Sequence, residues 1–148
     1  MAGVQTAVSL REQGWRGEIT LLGDEPHPPY DRPPLSKAVL LGTAGSEPLD
    51  VRFDVDFDAL DVDLRLGVRA QALRSDTREL VTDVGAVRYD RLVLATGAYP
   101  VALPGTAGLT GVHLLRTLDD AAALRPVLDA RRDVVVVGAG WIGAEFAT

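Results

Sequence analysis

With 148 residues, 47% of them hydrophobic, the chain is long enough for one globular domain, and its formal charge of −6 argues against nucleic acid as a partner. No apolar run reaches the roughly 18 residues of a membrane span, and no basic stretch followed by an apolar core marks a signal peptide, so no membrane association is expected. The absence of cysteine excludes disulfides, thiolate metal sites and a redox-active dithiol within these residues, and is compatible with a reducing, cytoplasmic setting.

The apolar positions Val4, Ala7, Val8 and Leu10 predict a helix over 4–13 with one buried stripe, stopped by Gly14. Residues 18–23 read as a short parallel strand ending at Asp24 and Glu25, about 20 residues after Gly3. Helix, turn, strand and acidic end form the second half of a dinucleotide-binding βαβ unit, with Gly3 standing where the third glycine of its loop would be. The expectation is that the first strand and its glycine loop are missing.

Five prolines between Pro26 and Pro34 make the stretch to Lys37 a stiff, irregular loop. It presents Tyr30, Asp31, Arg32, Ser36 and Lys37, the last being the sole lysine beside 14 arginines. Ser36 is read as the cap of a short helix through Leu41. Residues 42–50 are linker-like. Val51, Phe53, Val55 and Phe57 alternate as in a strand, while Phe53, Phe57 and Leu60 fit a helical stripe; a helix over 53–60 is favoured. Short strands at 63–66, 69–74, 79–82 and 86–89 form an antiparallel meander. Residues 91–95 are a buried strand ending at Thr96 and Gly97. Residues 117–131 are a helix capped by Thr117, with Asp119 and Asp120 in its first turn and Pro126 kinking or shortening it. His27 and His113 stand alone, so no metal site is expected.

The last stretch is the most informative. Val134–Val137 read as a strand buried on both faces that runs into Gly138-Ala139-Gly140-Trp141-Ile142-Gly143, a G-x-G-x-x-G loop, and then into a helix from Ala144. Gly138 permits the tight turn, Gly140 clears space for a pyrophosphate, and Gly143 allows close packing of helix and strand. The acidic residue that would hold a ribose about 20 positions later lies beyond Thr148.

Six stretches together resemble the flavoprotein reductases that carry electrons from NAD(P)H to a ferredoxin or rubredoxin. They are Ala2-Gly3 with its helix, ITLLGDE (19–25), PYDRPPLSK (29–37), YDRLVLATG (89–97), LLRTLDDA (114–121) and VVVVGAGWIGAEFA (134–147). The resemblance implies an α/β, Rossmann-like FAD/NAD(P)-binding fold with a small antiparallel meander. An FAD domain over 1–116 would lack its first strand, and an NAD(P) domain over 117–148 would be truncated. It also implies that Ala2 and Gly3 lie near the FAD pyrophosphate and that Asp24 or Glu25 binds the adenosine ribose. Arg32, Pro33 and Lys37 would line the flavin, Ala70 would meet the adenine side, and Thr96, Gly97 and Arg116 would close over FAD. Ile142, Gly143 and Glu145 would sit where nicotinamide meets flavin, with Lys37 and Glu145 within about 4 Å of each other as an ion pair. The partner implied is a small iron–sulfur carrier of ferredoxin or rubredoxin type. Two function classes follow: an FAD-dependent oxidoreductase, or a non-catalytic fragment that binds nucleotide weakly or only makes protein contacts.

Overall fold

The computed structural model describes residues 1–42, 51–138 and 140–147. Most of the expected linker, together with Ala139 of the glycine loop and Thr148, lies outside the described residues. The chain divides into two compact units, one of residues 1–30 and 53–96 and the other of residues 31–52 and 97–148.

In the first unit, helix α1 (Ala2–Glu12) packs its buried stripe, Val4 and Ala7, on strand β1 (Ile19–Gly23). Strand β1 pairs in parallel with β2 (Val62–Leu66), in the register Ile19↔Val62 to Gly23↔Leu66. Arg11, in the last turn of α1, fixes the loops at the start of both strands. Its guanidinium donates to the carbonyls of Trp15 (2.9 Å), Gly17 (2.8 Å), Leu60 (2.7 Å) and Asp61 (2.7 Å). Strands β3 (Ala70–Arg74), β4 (Glu79–Thr82) and β5 (Gly85–Arg88) form a separate antiparallel sheet. The meander is therefore three-stranded: β2 leaves it to pair with β1, where Val62 finds a buried place.

The helix expected over 53–60 does not form. Residues 53–56 are irregular and 57–61 make a turn, in which Asp56 Oδ1 accepts from the Ala59 N–H (2.9 Å) and Asp61 adopts φ 52°. Aspartates at every second position compete for backbone donors and favour such turns over helix.

In the second unit, the proline-rich loop contains regular structure after all: Pro33–Ser36 form one 3-10 turn, with prolines at its first positions, where an N–H would be unpaired anyway. It is followed by α2 (Ala38–Leu41), which ends at Gly42 in the left-handed conformation (φ 69°). Helix α3 (Leu118–Asp129) packs Leu118, Ala121 and Leu124 inward and contacts both α2 and the 3-10 turn. It runs through Pro126. The carbonyl freed four residues back belongs to exposed Ala122, where water can satisfy it. Helix α4 (Trp141–Phe146) follows the glycine loop.

Two expected strands are not strands among the described residues. Residues 91–95 and 134–137 have no ladder partner, and their apolar side chains face solvent, with Leu94 69% and Val135 88% exposed. A valine-rich sequence encodes the preference for a sheet, but the strand exists only where a neighbour supplies hydrogen bonds.

Candidate functional site

The residues singled out in the sequence fall into both units. Ala2, Gly3, Asp24, Glu25, Ala70 and Thr96 belong to the first; Arg32, Pro33, Lys37, Gly97, Arg116, Gly138, Gly140, Ile142, Gly143 and Glu145 belong to the second.

In the first unit, the start of α1 lies close against β1: a Cβ added at Gly3 would sit 3.1 Å from Leu21 Cδ1. The two carboxylates that follow β1 have different partners. Glu25 accepts the hydroxyl of buried Tyr30 at 2.5 Å, and Asp24 pairs with Arg69 at 3.5 Å. Tyr30 fixes one carboxylate at the strand end and Arg69 steers the other. Neither partner role was visible in the sequence, because each depends on how the loop after β1 folds back. Ala70 is exposed at the start of β3, and Thr96 is exposed at the end of the unit.

In the second unit, two clusters form. Arg32 donates to the Arg116 carbonyl (2.7 Å), and Arg116 Nε donates to the Ala98 carbonyl (3.0 Å). A Cβ added at Gly97 would lie 3.6 Å from the Arg116 guanidinium. These contacts bring together Arg32, Arg116 and the backbone at Gly97 and Ala98, from three separate motifs. Pro33 is exposed at the start of the 3-10 turn.

The second cluster is centred on Glu145. Lys37 Nζ lies 3.3 Å from Glu145 Oε1, and the Ser36 hydroxyl donates to Glu145 Oε2 at 2.6 Å. The expected ion pair is present. Ser36 does not cap α2: Lys37 holds the cap position without a side-chain bond, and the serine hydroxyl is spent on the carboxylate instead. The Ser36 hydrogen bond holds the Glu145 carboxyl below its ordinary value of 4.5; burial pushes it the other way, and the Lys37 ammonium adds to the lowering.

Beside this cluster, the glycine loop has the features its spacing foretold. Gly138 adopts φ 117°, a Cβ at Gly143 would come 2.6 Å from the Gly138 carbonyl oxygen, and Gly140 faces open space. The loop thus needs glycine at its first and third positions to close on its own helix, and leaves clearance at the second where a phosphate could approach. Ile142 is half exposed. Among the described residues no group of His, Asp or Glu could hold a metal ion, and no helix is long and apolar enough to cross a membrane.

A helix packed on a pair of parallel strands with carboxylates at the strand end, a glycine loop folded on a helix, and a small antiparallel sheet are parts of a Rossmann-type α/β fold. The chain belongs to the pyridine nucleotide-disulphide oxidoreductase family, whose model matches residues 1–148. It is 42% identical over 152 residues to putidaredoxin reductase of Pseudomonas putida, covering 99% of this chain and 36% of that protein. It is 44% identical over 148 residues to rhodocoxin reductase of Rhodococcus erythropolis, covering 99% of this chain and 35% of that one. The crystal structure of the covalent putidaredoxin reductase–putidaredoxin complex superposes with a TM-score of 0.91 at 40% identity, over 99% of this chain and 36% of the reductase. The chain spans about a third of the length of these relatives.

Proposed function

We propose that the chain belongs to an FAD-dependent oxidoreductase that takes electrons from NAD(P)H and delivers them to a ferredoxin- or rubredoxin-type iron–sulfur carrier. The observation that carries this reading is the 3.3 Å pairing of Lys37 with Glu145, which joins the proline-rich motif to the glycine-loop helix. The names of the relatives, putidaredoxin reductase and rhodocoxin reductase, support the partner class. Bound FAD would supply acceptance of a hydride from nicotinamide and release of single electrons.

The chain's own residues would bind and orient. Residues 1–116 serve the flavin nucleotide and 117–148 open the nicotinamide nucleotide site. Ala2 and Gly3 approach the FAD pyrophosphate with backbone rather than side chain. Asp24 or Glu25 accepts from the adenosine ribose, and Ala70 meets the adenine side. Within the second unit Arg32, Pro33, Gly97 and Arg116 contact the flavin, and Thr96 contributes to flavin binding from the first unit. Gly138, Gly140, Ile142 and Gly143 give the nicotinamide nucleotide its approach. Lys37 places a positive charge where reduced flavin gains electron density, and Glu145 holds that ammonium. The open space at Gly140 and the carboxylates after β1 fit these roles. A cytoplasmic location is part of the same proposal.

Replacing the lysine that matches Lys37 by methionine in a full-length relative, and following flavin reduction by stopped flow, tests this. Slower reduction with FAD retained is expected; unchanged kinetics would overturn the role of Lys37. A second reading, a chain that binds nucleotide weakly or only makes protein contacts, is favoured by the exposure of Leu94 and Val135. Adding FAD to the purified chain and recording the visible spectrum separates the flavin reading from a chain that only makes protein contacts, since only bound flavin shifts its absorption band.

A further inference from the structure

Ser36 and Lys37 are consecutive, yet both reach the same carboxylate. On a continuous helix, neighbouring side chains point about 100° apart and do not share a partner. The backbone resolves this by breaking at Lys37 (φ −123°, ψ −108°), between the 3-10 turn and α2. The two side chains are not equal partners. The Lys37 side chain is 54% exposed, and an ion pair with a long, solvated side chain does little to fix geometry. Ser36 is buried, and its bond of 2.6 Å to a carboxylate is of the short, charge-assisted kind.

We propose that Ser36 is a positioning residue: its buried hydroxyl holds Glu145 Oε2 and so turns Oε1 toward the Lys37 ammonium. Oε2 accepts from the serine and Oε1 faces the lysine. Lys37 then meets, 3.3 Å from its ammonium, an anion held by a buried partner. The lowering of the Glu145 carboxyl, caused first by Ser36 and less by Lys37, accords with that order. The functional meaning of the orientation rests on the flavin reading above; the positioning itself does not.

The test is a carbon-detected NMR titration of the Glu145 carboxyl in the full chain. In the wild type it should titrate below the ordinary value. Ser36→Ala should move it upward and broaden the Lys37 side-chain signals, and Ser36→Thr, which keeps the hydroxyl, should restore both. A Ser36→Ala titration that matches the wild type would overturn the proposal. Should Ser36→Ala fail to fold, the wild type still decides: a downfield, slowly exchanging Ser36 hydroxyl proton is expected, shifted upfield in Glu145→Gln. Its absence from the folded wild type would also overturn the proposal. None of these readouts needs a cofactor, so failure of the flavin reading shows separately, as loss of FAD binding.

Discussion

Glu145 gives the second unit an acid-sensitive contact. Its folded pKa is lowered, by the Ser36 hydroxyl first and by Lys37 after it. Its contribution to stability is therefore complete above the ordinary value of 4.5 and is lost as pH falls through the lower folded value. Glu145→Gln should flatten this part of the acid limb in a denaturation series over pH, while leaving stability near pH 7 only slightly reduced. An identical acid limb in the variant would contradict this. The pair itself was legible in the sequence, because two family-like motifs each supplied one charged residue. Ser36 was not, because a serine before an apolar run has the sequence signature of a helix cap, and only the backbone break at Lys37 turns it toward α4. Tyr30 was read only as one polar residue of the loop, since nothing in the spacing shows that its hydroxyl folds back to Glu25.

Among the elements, α3 is the one whose sequence specified it most completely. Thr117 Oγ1 accepts from the Asp120 N–H (3.1 Å), and Asp120 Oδ2 accepts from the N–H groups of both Thr117 and Arg116 (2.8 Å each). Asp120→Ala removes two acceptances at once and should cost about 1–2 kcal/mol in chemical denaturation. It should also loosen the Arg116 segment that carries the bond to Arg32. A change within about 0.3 kcal/mol would contradict this role. Gly143→Ala should disturb the glycine loop more than Gly140→Ala, since only the former sets a Cβ against the Gly138 carbonyl. Equal effects of the two on stability in chemical denaturation would count against separate roles for these glycines. The elements that were misread have a common cause. Residues 53–60, 91–95 and 134–137 were assigned from local pattern, yet a helix must outcompete aspartate turns and a strand must have a neighbour. Pattern reports preference; pairing decides the outcome.

At the scale of the whole molecule, the described residues leave a large apolar surface in water. Val93, Leu94, Val135 and Val137 are 60%, 69%, 88% and 69% exposed. Burying each such side chain is worth about 1.5–3 kcal/mol, so together they forgo an amount comparable to the whole stability of a domain, about 5–15 kcal/mol. The isolated chain should therefore bind a hydrophobic dye and melt at a low temperature; a transition above about 60 °C would contradict this. A chain so poorly packed populates its binding-competent state only in part, so flavin binding should be weak, micromolar or poorer, at about −8 kcal/mol or less favourable. The most direct measurement is a fluorescence titration of FAD with the wild-type chain, with Lys37→Met, and with the double variant Asp24→Asn/Glu25→Gln. The expected result is saturable binding by the wild type and by Lys37→Met, weakened about tenfold or more in the double variant, as loss of a charged hydrogen-bond acceptor would give. No saturable signal up to millimolar protein, or binding unchanged in the double variant, would contradict the assignment of this chain as a flavin-binding segment.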